Sequence, residues 1–337
     1  MWGVAGQGRG VVNMDAERVF FPGWDHELTA VEKKTGRLLW RATTPVTALQ
    51  RSIGTAIAGS IVAYPDGLIF AFDRATGALR WTFGSDTILP GYAIPVARGN
   101  TIFAGALRGD VYALDAANGD VIWHRPPVPP YPSAAFDPVV DADQLFVGYA
   151  ERGFTIRGGL AALDATNGEL QWYHDFAQYV DSTQSSRCLG GVVLSSTMVF
   201  TWFESGDVVA LDRQSGALKW RRPGTAPGYR FSALLQGVLL VTANDGHLEG
   251  LDPQTGHTLW SSPFLGPGSV IFPLATDGSV AYINVSGGHL AAVDPQSGEV
   301  KWTVGPLAPP RVTLIGTPAS GDSVLYIGGE ALYAIRR

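Results

Sequence analysis

The chain repeats one eleven-residue motif seven times, and this repeat constrains its fold more than any other feature. Each copy contains an acidic residue, then Thr, Ser or Asn followed by Gly at the fourth position after the acid, and Trp four residues after that Gly. The seven copies end at Trp40, Trp81, Trp123, Trp172, Trp220, Trp260 and Trp302. Successive Trp residues are separated by 41, 42, 49, 48, 40 and 42 residues. A period of about 40 residues with strand-rich content predicts a radially repeated sheet.

The third repeat shows how one unit divides into strands. Residues 91–125 read as four strands, YAIPVA, TIFAGA, VYALD and VIWHR, separated by turn sequences that contain Gly. We expect Asp115 to accept hydrogen bonds from the amides of the turn, and Gly119 to take the left-handed conformation that closes a bulged hairpin. Trp123 then lies on the outer strand, where its indole is expected to pack against the neighbouring repeat.

The two ends of the chain determine how many repeats the sequence predicts. After Trp302 come three strand-like segments, VTLIGTPAS, SVLYIGG and ALYAIRR, with Arg336 at the position of the motif acid. The missing outer strand is available at the N-terminus, where Trp2 precedes Trp40 by 38 residues. The sequence therefore predicts an all-β, eight-bladed β-propeller of four-stranded antiparallel blades, in which the N-terminal strand closes the last blade and residues 1–337 form one domain. The alternative is that Trp2 belongs to a disordered end.

Composition excludes several classes of function. The net charge of −6 argues against a nucleic-acid surface, which needs clustered Lys and Arg. Cys188 is the single cysteine, so no internal disulfide is possible. No apolar run approaches the roughly 20 residues that a membrane-spanning helix needs. The N-terminus, MWGVAGQGRG, lacks the pattern of a signal peptide, although a chain from which one was removed would look the same. We expect a monomer.

The acid–Gly–Trp motif resembles the tryptophan-docking motif of the pyrroloquinoline-quinone-like β-propellers, and the resemblance covers nearly the whole chain. One branch of that family, the quinoprotein alcohol dehydrogenases, uses the quinone and a calcium ion and is much longer. Those enzymes share a pair of adjacent cysteines that lies over the cofactor, whereas this chain has Cys188 alone. Its innermost strands are mostly small and uncharged, which suits neither a polycarboxylate quinone nor calcium. We therefore expect no enzyme, no quinone and no calcium.

The other branch is that of the outer-membrane assembly lipoprotein BamB and its relatives, to which the chain is more similar in length and blade number. This resemblance implies a cofactor-free scaffold that binds the periplasmic arm of the barrel-inserting machinery. It also implies a periplasmic or outer-membrane-associated location if a signal has been removed. The family's contact residues do not carry over, because the loop YHDFAQYVDSTQSSRCLGG does not match the family's contact sequence.

Three long links are predicted to share one face of the propeller, and they are the expected site of partner binding. They comprise residues 124–134, 150–159 and 173–187, and they account for the two longest Trp-to-Trp steps. The residues of types enriched in interface anchors are Tyr131, Arg152, Phe154, Arg157, Tyr173, Phe176, Tyr179 and Arg187. The alternative is that these aromatic side chains pack on their own scaffold.

A weaker pattern predicts an anion-binding site. Arg51, Arg187 and Arg230 lie near the starts of inner strands on the same face, where they could hold a phosphate or a nucleotide. A small-ligand propeller is therefore the alternative function, and a quinoprotein dehydrogenase ranks third. His247 and His289 occupy equivalent positions, but no third or fourth ligand accompanies them, so no metal site is expected. The motif acids are interpreted as turn caps, and no catalytic constellation is evident.

Overall fold

The computed structural model describes residues 2–5, 12–23, 26–45, 54–84, 93–128, 133–151, 157–179, 186, 188, 191–203, 205–224, 232–242, 247–262, 275–285, 289–305, 324–328 and 331–336. The regular elements of these segments are β-strands, except for one short 3-10 helix at Ala177–Tyr179. The all-β prediction is therefore confirmed. The chain forms two compact units, Val4–Gly190 and Gly191–Arg337, with residues 1–3 divided between them.

The first strand, β1, spans Trp2–Ala5, and the unit Val4–Gly190 then contains four antiparallel sheets. Each sheet takes its four strands in chain order. Sheet 1 is β2 (Asn13–Met14), β3 (Arg18–Pro22), β4 (Glu27–Glu32) and β5 (Leu38–Thr43). Sheet 2 is β6 (Ala56–Ala58), β7 (Ile61–Asp66), β8 (Leu68–Asp73) and β9 (Leu79–Phe83). Sheet 3 is β10 (Val96–Arg98), β11 (Thr101–Gly105), β12 (Val111–Asp115) and β13 (Val121–Arg125). Sheet 4 is β14 (Ser133–Asp141), β15 (Gln144–Glu151), β16 (Gly158–Asp164) and β17 (Leu170–Asp175).

The unit Gly191–Arg337 contains three further sheets of the same kind. Sheet 5 is β18 (Val193–Leu194), β19 (Met198–Trp202), β20 (Val208–Asp212) and β21 (Leu218–Arg222). Sheet 6 is β22 (Ser232–Leu235), β23 (Val238–Thr242), β24 (Leu248–Leu251) and β25 (Thr258–Ser262). Sheet 7 is β26 (Ala275–Thr276), β27 (Ala281–Val285), β28 (His289–Val293) and β29 (Val300–Val304).

A last sheet, which we call the terminal sheet, contains three described strands. It is formed by β30 (Val324–Gly328), β31 (Ala331–Arg336) and β1, in the order β1–β31–β30. The strand that carries Trp2 therefore lies next to the strand ALYAIRR, which is the position the sequence predicts for it. The segment VTLIGTPAS, which was expected to supply an inner strand, lies outside the described residues.

Each motif forms the same bulged turn. In sheet 3 the Asp115 carboxylate accepts a hydrogen bond from the Ala117 amide at 2.7 Å, and the Gly119 amide donates to the Asp115 carbonyl at 2.8 Å. Gly119 has φ +80°, which glycine adopts without steric cost. The register shifts by one residue between Ala113 and Leu114, and an equivalent shift occurs in all seven motif hairpins. The predicted turn chemistry is confirmed.

Within each compact unit, the motif Trp of one sheet contacts the next sheet along the chain. Trp123 of sheet 3 donates from Nε1 to the Ala165 carbonyl of sheet 4 at 3.0 Å. Its ring lies so close to Gly168 that a Cβ there would be 2.6 Å from the ring. The ring of Phe103, in the same sheet as Trp123, lies 5.9 Å from it between centroids. The same Trp–Gly contact joins Trp40 to Gly77, Trp81 to Gly119, Trp220 to Gly256 and Trp260 to Gly298.

The hydrophobic core lies between neighbouring sheets. Sheets 3 and 4 share one cluster, in which Phe103, Val111 and Trp123 of sheet 3 pack against Leu145 and Tyr149 of sheet 4. Comparable clusters join sheets 1 and 2, sheets 2 and 3, and sheets 6 and 7. Strand ends, where the apolar packing stops, are therefore the positions at which polar side chains of two sheets can meet.

Candidate functional site

The structure describes four of the eight residues predicted to bind a partner. Tyr131, Arg152, Phe154 and Arg187 lie outside the described residues, as do Arg51 and Arg230 of the predicted anion site. The described residues are Arg157, Tyr173, Phe176 and Tyr179, and all four belong to sheet 4 or to the segments adjoining its strands.

Arg157 and Tyr173 lie near one end of sheet 4. Arg157 is exposed just before β16, and its carbonyl accepts a hydrogen bond from the Glu151 amide at 2.8 Å. Tyr173 is half-buried, with its ring 6.4 Å from that of Tyr149 in an edge-on arrangement. Its hydroxyl lies over Gly159, where a Cβ would be 2.5 Å from that oxygen. A side chain at position 159 would therefore displace Tyr173.

Phe176 and Tyr179 differ in their exposure. Phe176 has no solvent-exposed surface, so its ring packs inside the unit, whereas composition suggested a contact with a partner. Aromatic residue type by itself does not distinguish a ring that packs inside the protein and anchors a loop from a ring that the loop exposes to solvent. Tyr179 is half-buried, and its hydroxyl lies 2.8 Å from His174 Nε2, with the two rings stacked. Arg157, Tyr173 and Tyr179 therefore retain surface that a partner can reach.

Three further polar residues occur where the core between sheets 3 and 4 ends, and the sequence analysis did not single them out. They are Arg125 at the end of β13, with Tyr149 and Glu151 on β15. Tyr149 is 1% exposed, and its hydroxyl, Arg125 Nε and Glu151 Oε2 are buried atoms without a hydrogen-bond partner. A comparison of the repeats by position, rather than by loop length, is the signal that could have drawn attention to Arg125.

The surroundings of Tyr149 keep its hydroxyl protonated. Burial raises the pKa of Tyr149 well above its ordinary value, while the charge of Arg125 lowers it and that of Asp110 raises it. Asp110 itself lies 2.7 Å from His124 Nε2, and the His124 ring stacks on Tyr112 at 4.6 Å. The ends of sheets 3 and 4 thus carry positively charged, negatively charged and neutral hydrogen-bonding groups.

The motif acids serve as turn caps. Asp73 accepts hydrogen bonds from Arg80 at 2.6 Å and from the Thr76 amide at 3.0 Å, and these partners, Arg80 foremost, lower its pKa to about 2. Three equivalent motif acids also have a lowered pKa. The main cause is the hydrogen bond to Thr166 for Asp164, to Lys219 for Asp212 and to Lys301 for Asp294. A carboxylate held ionised by its own turn is a poor proton donor or acceptor near neutral pH.

Neither a metal site nor a membrane helix is found within the described segments. No group of three or more His, Cys, Asp or Glu side chains there is arranged to hold a metal ion. In the same part of the chain, no helix has the length and apolar character needed to cross a bilayer.

A family model described as outer membrane protein assembly factor BamB matches residues 2–82, 65–230 and 157–336. The chain belongs to the BamB family. BamB of Pseudomonas aeruginosa is 27% identical over 197 residues, which cover 57% of this chain and 38% of that protein. BamB of Alkalilimnicola ehrlichii is 26% identical over 210 residues, which cover 58% of this chain and 52% of that protein. The matched region therefore spans about half the length of these relatives, or less.

Solved structures share the fold of this BamB-family chain. The crystal structure of BamB from Moraxella catarrhalis matches with a TM-score of 0.78 at 16% identity, and the match covers 100% of this chain and 99% of that chain. A quinohemoprotein alcohol dehydrogenase from Pseudomonas putida matches with a TM-score of 0.74 at 15% identity, over 96% of this chain and 71% of that one. At such identities the likeness concerns the fold, a β-propeller in both cases, and does not extend to the activity.

Proposed function

We propose that this protein is a non-catalytic β-propeller scaffold of the bacterial envelope that binds a protein partner during the assembly of outer-membrane proteins. The observation that carries this proposal is the match of the BamB family model along nearly the whole chain, from residue 2 to residue 336. The likeness to the Moraxella catarrhalis BamB structure over the full length of both chains supports the same architecture. We also propose a periplasmic or outer-membrane-associated location, which the same family membership supports.

The architecture we propose is a closed ring of eight blades. Seven four-stranded sheets and the terminal sheet supply eight sheets among the described residues. The order β1–β31–β30 supports closure by the N-terminal strand, because β1 covers an edge of β31 that would otherwise be open to pairing. Such a ring is rigid, so that loops at the strand ends are held in fixed positions for binding.

The partner surface we propose lies at the end of sheet 4 and includes Arg157, Tyr173 and Tyr179. Arg and Tyr are enriched among residues that dominate binding energy, and these three keep accessible surface. We infer that the partner is the barrel-assembly machinery, since the relatives of known name are outer membrane protein assembly factors.

The experiment that tests this proposal measures binding of the purified protein to the purified periplasmic part of the barrel-assembly machinery by surface plasmon resonance. We expect the double variant Arg157→Glu/Tyr179→Ala to weaken binding at least about tenfold, because it reverses one charge and removes one aromatic contact. The control is Arg37→Glu, which reverses another exposed charge, one paired to Glu32 in the motif turn of sheet 1. Unchanged binding by a double variant with a normal melting temperature would place the interface elsewhere, and no binding by the unaltered protein would contradict the function.

A further inference from the structure

One residue of sheet 1 departs from a pattern that the other repeats share. His26 lies six residues before the motif acid Glu32, and its backbone is left-handed, with φ +58°. Residues other than glycine seldom adopt this conformation, because their Cβ is crowded by the backbone. The other six motif copies all have glycine at the equivalent position: Gly67, Gly109, Gly158, Gly206, Gly246 and Gly288. A strained histidine where the other repeats have glycine points to a role for its side chain.

The His26 side chain reaches a buried carboxylate of the next sheet. His26 lies two residues before Leu28, and Asp66 lies two residues after Tyr64; Leu28 and Tyr64 both belong to the core between sheets 1 and 2. His26 Nδ1 is 2.9 Å from Asp66 Oδ1 and 2.8 Å from Asp66 Oδ2. Asp66 has no solvent-exposed surface. The pair therefore extends the contact between the two sheets beyond the end of their apolar core.

Thr44, just after the last strand of sheet 1, holds the same carboxylate. Its hydroxyl donates to Asp66 Oδ2, and its amide donates to the His26 carbonyl at 2.9 Å. The Asp66 carboxylate thus has hydrogen-bond donors, but among the described residues the His26 ring is the one group that pairs with its charge. A buried carboxylate without an opposite charge is costly, so the protonation of His26 matters to the interface.

The other charged side chains described at this end of sheets 1 and 2 are engaged with each other. Glu27 and Arg41 form an ion pair at 3.4 Å within sheet 1, and Glu27 also accepts a hydrogen bond from Thr29. The His26 ring bonds through Nδ1, and its side chain is 21% exposed. Its Nε2 is not a buried unpaired atom. The ring can therefore exchange a proton with water at Nε2 while Nδ1 stays bonded to Asp66.

We propose that His26 and Asp66 form a pH-sensitive latch between sheets 1 and 2, which is tightest when the His26 ring carries both of its protons. In that state the ring and the carboxylate are an ion pair. When the ring loses the Nε2 proton, Nδ1–H still donates, but the buried Asp66 charge has no counter-charge. Histidine changes its charge between about pH 5 and pH 8, so the latch weakens as the pH rises through this range. It does not depend on the proposed binding of a partner.

The first experiment compares the unaltered protein with His26→Asn. Asparagine tolerates the left-handed backbone and can donate a hydrogen bond, but it cannot become charged. We expect the difference in melting temperature, wild type minus variant, to be at least about 2 °C greater at pH 5.0 than at pH 8.0. The other titrating groups are common to both proteins, so their effects cancel in this difference. A difference that is equal at the two pH values, or greater at pH 8.0, would overturn the proposal.

The second experiment tests whether the buried carboxylate is the cause. In the Asp66→Asn background, His26→Asn should change the melting temperature equally at both pH values, because the charge that pairs with His26 is absent. The matched control is His124→Asn. His124 Nε2 lies 2.7 Å from Asp110 Oδ1, but these side chains are 41% and 21% exposed, so water screens their charges. We expect the control to show less than half the pH dependence of His26→Asn. Full pH dependence in the Asp66→Asn background or in the control would overturn the assignment.

Discussion

At the scale of single residues, the contact between Trp and Gly explains why the motif keeps its spacing. The Gly has two independent requirements, a positive φ and room for the indole of the preceding repeat. At Gly168 the φ is +75°, and a Cβ would lie 2.6 Å from the Trp123 ring. A residue other than Gly would therefore strain the turn and push the Trp away from the neighbouring sheet.

The variant Gly168→Ala should consequently destabilise the protein. We expect the free energy of unfolding to fall by about 2–4 kcal/mol, the sum of a left-handed backbone cost and an overpacking cost. The control Gly99→Ala has φ +59° with no atom within 4 Å of the added Cβ, so it should show the backbone cost alone, about 1–2 kcal/mol. Urea unfolding measures both, and equal losses would show that the Trp contact contributes nothing.

At the scale of elements, strand β14 contains the irregularity with the clearest electrostatic consequence. Its register shifts between Phe136 and Val139, and Asp137 within this bulge has φ +22°. The Asp137 carboxylate accepts a hydrogen bond from the Ile94 amide at 3.2 Å. Burial nevertheless raises the pKa of Asp137 from 3.8 to about 6, so that ionisation is disfavoured in the folded state.

The variant Asp137→Asn should therefore stabilise the protein in a pH-dependent manner. The pKa of Asp137 in the folded protein lies above its value in the unfolded chain. Ionisation of Asp137 therefore leaves the free energy of unfolding unchanged below pH 3.8, lowers it progressively up to about pH 6, and lowers it by a constant amount above that pH. We expect a gain of about 1–2 kcal/mol at pH 7 and none of this gain at pH 3.5. Melting curves at pH 7 and pH 3.5 test this prediction. An equal gain in stability at both pH values would mean that relief of backbone strain at position 137, and not the loss of an ionisable group, stabilises the variant.

Strand β1 gives a second prediction at this scale. Removal of residues 1–6 leaves β31 with an unpaired edge, and we expect the melting temperature to fall by more than about 5 °C. A peptide of residues 1–6 added in excess should restore part of the loss, whereas a peptide of scrambled sequence should not. An unchanged melting temperature after removal would show that β1 adds no stability.

At the scale of the whole molecule, one fold is shared by assembly factors and by dehydrogenases, so the fold does not decide the function. The motif residues are occupied with turns and with contacts between sheets. Residues outside the motif, such as Arg157 and Tyr179 near the ends of strands in sheet 4, are the ones that differ from repeat to repeat. Function is therefore expected where the repeats differ from one another.

The absence of quinoprotein activity is a prediction for the whole molecule. Addition of pyrroloquinoline quinone and calcium should produce neither a change in the quinone absorbance nor dye reduction with an alcohol substrate. A reconstituted quinoprotein dehydrogenase treated in the same way serves as the positive control. Alcohol-dependent dye reduction by this protein would contradict the scaffold function.

Local features were predictable from the sequence, whereas the exposure of side chains was not. The turn at Asp115 and Gly119 and the packing of Trp123 follow from a spacing that repeats seven times. Phe176 was predicted to contact a partner, yet it is fully buried, because loop composition does not reveal the direction of a ring. Arg125 was missed because its meaning depends on what the next sheet places opposite it.

The repeat, the turn of each motif hairpin and the Trp that joins neighbouring sheets within a unit were all predictable from the sequence alone. These depend on backbone conformation and on spacing within about 45 residues, which the acid, Gly and Trp positions specify directly. It took the packing of the sheets to show that Arg222 bonds to Glu249 of the next sheet, whereas Arg125 Nε is buried without a hydrogen-bond partner. The physical reason is that hydrogen bonding between facing sheets depends on register and side-chain direction, and neither can be read from one strand alone.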